Sequence, residues 1–208
     1  MVYRATALTE SRKNECRDRL LDAGMKLVLE GGFSNLTISK VAQKGNVATG
    51  TMYRYFSSKG ELCEEIFRKA TRIEIAKVQE TSQGAGTATE RMIQTLTEFA
   101  YRAIKGRRLA YALIAEPVDS MLEETRLQFR SIYADEFCKL IQQGVETKEF
   151  ADQQAYVSAT AIVGAISEAL VGPLSPHNTS PIESKKLTAD IVSFCLRALC
   201  ARDINLHI

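Results

Sequence analysis

Histidine is almost missing from this chain: His177 and His207 are the only two in 208 residues. One lies in a proline-rich loop and the other at the C-terminal end, so no pair stands ready for metal ligation or general acid–base work. The patterns G-x-S-x-G and H-E-x-x-H are absent, as is a phosphate-binding glycine loop, which leaves an enzyme as the weaker reading. Cysteines are few and odd in number: Cys16, Cys63, Cys138, Cys195 and Cys200 form no C-x-x-C pair. Neither a disulfide framework nor a zinc knuckle is indicated, and the thiols are expected to act as small hydrophobes. No metal or cofactor is expected. There is no uninterrupted run of about eighteen apolar residues, so no membrane role is expected. The polar opening, Met1 to Ser11, lacks the apolar core of a secretory signal, which places the chain in the cytoplasm. Prolines number four (Pro117, Pro173, Pro176, Pro181), all where helical patterns stop, and strand signals are nearly absent.

Net charge is only +2, too little to indicate a nucleic-acid partner by itself. Its distribution is uneven. Residues 1–80 carry fourteen Lys and Arg against ten Asp and Glu, whereas residues 81–208 carry thirteen against fifteen.

What the chain does contain is helical periodicity from end to end. A first helix is predicted over 10–30, with Cys16, Leu20, Ala23, Leu27 and Val28 on one face and Gly31-Gly32 as its stop; Phe33 and Leu36 pack back onto it. Two short helices follow, 37–44 and 48–53, too short to be stable unless packed on the first. Ser58-Lys59-Gly60-Glu61 has the form of a capping box, opening a long helix to about residue 79, and 81–88 reads as a loop. Further helices are predicted over 89–105, 107–115, 120–147, 152–171 and 182–202. They are separated at Gly106, Glu116-Pro117, Phe150-Ala151 and Gly172 to Pro181. The fold class is all-α, with about nine helices.

The segment from Leu36 to Phe56 carries the functional signal. Apolar residues at 38, 41, 42, 47 and 52 suit two helices sharing one small core, and Asn46 is the non-glycine type most at ease in the left-handed turn between them. The second helix exposes Thr49, Gly50, Thr51 and Tyr53, small or hydroxylated groups able to approach a groove closely.

From about Glu10 to Ile66 the chain resembles the DNA-binding domain of the tetracycline-repressor (TetR) family. The resemblance rests on Leu36-Thr37-Ile38, Val41-Ala42, Val47 and Thr51-Met52-Tyr53-Arg54-Tyr55-Phe56-Ser57-Ser58-Lys59-Gly60-Glu61-Leu62. A helix-turn-helix pattern alone is weak; the Y-x-Y-F-x-S-K run directly after it makes the match specific. Gly45-Asn46 stands where the family usually has a small residue followed by glycine. The resemblance implies that Thr37, Tyr53 and Lys59 clamp phosphates while Thr49, Gly50, Thr51 and Tyr55 face base edges, with Ser39 and Lys40 adding backbone contacts. Each has a plainer reading: Thr37 as an N-cap, Tyr55 and Phe56 as seals on the core, Lys59 as a solvated first-turn lysine.

The same resemblance implies residues 1–57 as the helix-turn-helix domain, 58–79 as a connecting helix, and 80–208 as a helical ligand-binding and dimerisation domain. Residues 156–171 are apolar almost all round, and Ile191, Val192, Phe194, Cys195, Ala198 and Leu199 line one side of the last helix. Such a pair suits a four-helix bundle with a second chain, the alternative being an intramolecular core. Ile166 and Phe194 are expected in that interface. A pocket for a mostly apolar small molecule is expected among Phe99, Arg102, Tyr111, Phe129, Tyr133, Phe137, Ile162 and Glu168. The reading is therefore a homodimeric regulator, most simply a repressor, of palindromic double-stranded operator DNA, released by an effector. Control by a protein partner and a helical scaffold that binds no DNA are the alternatives.

Overall fold

A computed structural model describes residues 7–200, with side chains from residue 10 onward. Within them the chain forms nine α-helices and one 3-10 turn, and no strand. The expected end of the last helix at Arg202, and His207, lie outside the described residues, as do Met1 to Thr6.

Helix α1 (Ala7–Gly31) ends as the glycines require: Gly32 takes φ 78, a left-handed conformation, and a 3-10 turn over Phe33–Asn35 follows. Helix α2 (Ile38–Lys44) begins at Thr37, whose side chain accepts from the Lys40 amide at 3.2 Å. Asn46 has φ 56, as its position in the turn predicts, and α3 (Thr49–Met52) follows directly. Leu20, Val28, Leu36, Val41, Met52, Phe56 and Ile66 are buried together, so each short helix is held by the shared core and not by its own propensity.

Helix α4 (Lys59–Ser82) runs a turn further than expected, so the loop is shorter than 81–88. Its capping box is only half formed. Ser58 accepts from the Glu61 amide at 3.1 Å, but the Glu61 carboxylate turns to the amide and hydroxyl of Ser57, each at 2.6 Å. The complete box belongs to Thr87 and Glu90, at the start of α5 (Ala88–Lys105). Then come α6 (Arg107–Ile114), α7 (Ser120–Glu146), α8 (Ala155–Leu174) and α9 (Ser184–Cys200).

Two expectations fail at α8. Gly172 and Pro173 do not break it; they form its last turn, where proline's missing N–H costs a single hydrogen bond. The end is closed from outside: the Arg107 guanidinium donates to the carbonyls of Leu174 at 3.3 Å and Ser175 at 2.6 Å, complementing the negative end of the helix. Second, Ala155–Leu174 is long and apolar enough to cross a bilayer by length and composition alone, against the expectation that nothing was. Its scattered Ser, Thr and Gly residues interrupt any continuous apolar run while leaving the average high.

The C-terminal helices enclose a second core, with Met92, Leu96, Phe137, Ile141, Ala159, Leu170 and Cys195 at its centre. The two cores adjoin. Ala112, Leu122 and Phe129, from α6 and α7, pack into the N-terminal one, and Phe67 sits between the tilted rings of Phe33 (6.2 Å) and Phe129 (5.9 Å).

Candidate nucleic-acid interface and central cavity

Thr37, Ser39, Lys40, Thr49, Gly50, Tyr53 and Lys59 are all exposed, and Thr51 is half-buried. Thr37 Oγ1 accepts the capping amide, which leaves its own proton free to donate outward. Lys40 is less available than expected, because its ammonium donates to the side-chain oxygen (2.5 Å) and main-chain carbonyl (3.2 Å) of Asn35. Lys59 occupies the first position of α4, at the positive end of the helix, where an anion would relieve the repulsion. Tyr53 keeps 60% of its surface exposed although it adjoins buried Met52. Tyr55 is half-buried against the core, where interaction with the Cys16 thiol and burial raise its hydroxyl pKa. That placement fits sealing the core and lends no support to a base-facing role.

Gly50 is informative because nothing in the fold asks for it. A Cβ added there meets no atom within 4 Å and its backbone is not left-handed, so no contact within the fold requires a glycine at this exposed position.

The second feature is a cavity of about 340 Å³ bounded by α4, α5, α6, α7 and α8. Phe99, Arg102, Phe129, Tyr133 and Phe137 line it, as expected. Tyr111, Ile162 and Glu168 do not. Tyr111 and Ile162 pack in the C-terminal core, and Glu168 is exposed on the outer face of α8. Ile166 is likewise corrected: it is buried and lines the cavity, so it is not an interface residue. Helical spacing fixes which residues share a face, but not which face meets which neighbour.

Thr71, Glu74 and Arg126 are lining residues that the sequence did not single out. Arg102 is held by Glu74 through two hydrogen bonds, at 2.7 and 2.8 Å, which raises the guanidinium pKa. Tyr133 stands edge-on to Phe99 at 5.8 Å, and burial, with Glu74 nearby, pushes its hydroxyl well above the ordinary range.

Arg126 joins the cavity to the N-terminal unit. Buried, it donates to the carbonyls of Ala112 (3.3 Å), Leu113 (3.0 Å) and Glu116 (2.7 Å), so it fixes the end of α6 and the corner beyond it. The Glu116 carboxylate in turn accepts from the amides of Phe33 and Ser34, both at 2.9 Å. Gly32 allows that contact: a Cβ there would lie 2.4 Å from the carboxylate.

A core-locked pair of short helices, a positive-φ turn and an exposed face of small, hydroxylated residues define a helix-turn-helix DNA-binding protein. Residues 20–66 match the family model of bacterial regulatory proteins of the tetR family. The N-terminal part of the chain therefore carries a DNA-binding domain of the tetR-family type. Among its relatives, the transcriptional repressor KstR of Mycolicibacterium smegmatis is 34% identical over 92 residues, 44% of this chain and 45% of that protein. The fatty acid metabolism regulator protein of Bacillus subtilis is 26% identical over 80 residues, 38% of this chain and 41% of the relative. The matched part thus spans less than half the length of these relatives. The fold extends further: FadR from Bacillus subtilis in complex with stearoyl-CoA superposes with TM-score 0.74 at 18% identity, covering 87% of this chain and 98% of that one. RolR in complex with resorcinol gives 0.68 at 17% identity, covering 91% and 90%.

Proposed function

We propose that this chain is a cytoplasmic repressor that binds a palindromic operator as a homodimer and leaves it when a mostly apolar small molecule fills the central cavity. Residues 1–57 form the DNA-binding part, 58–79 the connecting helix, and 80–208 the effector-binding and dimerisation part. Thr37, Tyr53 and Lys59 hold phosphates, and Thr49, Gly50 and Thr51 face the bases. The observation that carries this reading is the open surface at Gly50, joined through one continuous helix, α4, to a cavity walled by Phe99, Phe129 and Phe137.

An acyl-CoA thioester is the leading effector class. A fatty acid metabolism regulator is among the relatives, and a fold neighbour was solved with stearoyl-CoA. The cavity here has an apolar wall, and Lys105 and Arg130 supply exposed cations for an anionic group. Dimerisation is assigned to the outer faces of α8 and α9. Val157 (62% exposed), Ala161 and Gly164 follow one another along α8 at helical spacing, and Phe194 on α9 is 56% exposed.

Selection from a random duplex library with the purified protein tests the reading. The expected product is a palindrome whose half-site centres are about 34–36 Å apart, one turn of DNA. Recovery of no enriched sequence, or of a single unpaired half-site, contradicts it.

A further inference from the structure

The polar groups inside the cavity are not arranged as an anion site. Arg102 already spends two donors on Glu74, so the pair is close to neutral. Arg126 directs its guanidinium at main-chain carbonyls and at Glu123. Three lining hydroxyls make no hydrogen bond among the described residues: half-buried Ser167 on α8, Thr71 on α4 and Tyr133 on α7. Thr71 is 3% exposed, its Oγ1 is buried, and it makes no hydrogen bond among the described residues. The Tyr133 hydroxyl also makes none; burial together with the Glu74 charge raises its pKa, so it stays a neutral group able to donate or accept. Thr71 and Glu74 lie one turn apart on the same face of α4, and Tyr133 lies within the electrostatic reach of both Glu74 and Arg102. A buried hydroxyl without a partner costs free energy that a plain hydrocarbon ligand cannot recover.

We infer that the effector carries a neutral oxygen function, a hydroxyl or ketone, on its apolar part, received by Tyr133 and Thr71 against α4. This rests on the cavity being the effector site and narrows its ligand from acyl thioesters in general to oxygenated ones. A carboxylate is disfavoured at this end, because it would face Glu74 in a setting that already opposes negative charge. The anionic end belongs instead with Lys105 and Arg130, which form no ion pair among the described residues. Recognition by Thr71 also puts a ligand contact on the helix whose first turn presents Lys59.

The test compares binding of decanoyl-CoA, 10-hydroxydecanoyl-CoA and 9-oxodecanoyl-CoA to the full chain and to the variants Tyr133→Phe and Thr71→Val, by calorimetric titration. The oxygenated thioesters are expected to bind roughly tenfold tighter than decanoyl-CoA, as a hydrogen bond to an otherwise unpaired buried donor allows. Each variant should lose most of that preference, the ratio of affinities for oxygenated over plain thioester falling toward one. Thr71→Val should melt at or above the parent temperature, because it removes an unsatisfied polar atom. Equal affinity for all three thioesters, or a preference that survives in both variants, overturns the inference and leaves the cavity as a plain acyl site. Absence of binding by any of the three overturns the acyl reading as well.

Discussion

Gly50 sits at the second position of α3, in ordinary helical backbone with open space where a side chain would go. Within the free protein alanine is the better residue there. Gly50→Ala is therefore expected to stabilise the fold by about 0.5 kcal/mol while weakening operator binding, because a methyl group now stands where the DNA should approach. Thermal melts and binding titrations on one preparation check both signs; unchanged DNA affinity would remove Gly50 from the interface. Lys59→Ala should weaken binding to specific and random duplexes alike and reduce the salt slope by about one. Thr37 has two compatible duties, since its oxygen accepts the Lys40 amide and its proton stays available. Tyr55 shows the limit of motif transfer: next to an exposed tyrosine in the same run, it turns inward.

The helices themselves were legible because their signals are local. Thr37 as cap, Asn46 in the turn, Gly31-Gly32 as a stop and Gly106 as a break all act within a few residues, and each stands where expected. Pro173 and the Ser58 box misled because the deciding partners are elsewhere: Arg107 closes α8 from 67 residues away, and Glu61 finds Ser57 first. The cavity was half readable for the same reason. Aromatics inside apolar stretches marked Phe99, Phe129, Tyr133 and Phe137, but the pairing of Glu74 with Arg102 and the reach of Arg126 are matters of tertiary contact. The corner between α6 and α7 carries a testable consequence. Glu116→Ala leaves the Phe33 and Ser34 amides without an acceptor and should cost about 1–3 kcal/mol in urea unfolding. It should also blunt operator release by a ligand that still binds, since the corner is the short route from Arg126 to the end of α1. A second loop carboxylate, Glu149, accepts from the amides of Ala88 and Thr89 and the hydroxyl of Thr147, which hold its pKa at about 2. Its folded value lies below the unfolded one, so its contribution is complete above the ordinary glutamate range and is lost as pH falls toward 2. Glu149→Gln should flatten the acid limb of stability between about pH 4.5 and 2, read as melting temperature against pH; an acid limb identical to the parent's would show that these hydrogen bonds do not hold the carboxylate.

As a whole, the molecule presents an apolar helix that it does not cover: only a third of α8 is buried within the chain, although its mean hydropathy is 1.6. In the proposed dimer a helix from a second copy covers the remainder, and the small Ala161 and Gly164 would permit close approach. Phe194→Glu places a charge on that face without entering the core, so it should yield monomers by sedimentation and much weaker operator binding through loss of the linked second site. Ile166 offers no such test, because its substitution damages the cavity wall instead. The central claim is that cavity and helix-turn-helix are two sites biasing one conformational equilibrium, and linkage makes the claim quantitative. If the effector weakens operator binding by a given factor, the operator must weaken effector binding by the same factor. The direct measurement is operator affinity with and without saturating 10-hydroxydecanoyl-CoA, alongside affinity for that thioester with and without saturating operator. Equal losses in the two directions are expected, roughly tenfold or more; ligand binding that leaves operator affinity unchanged would contradict the claim.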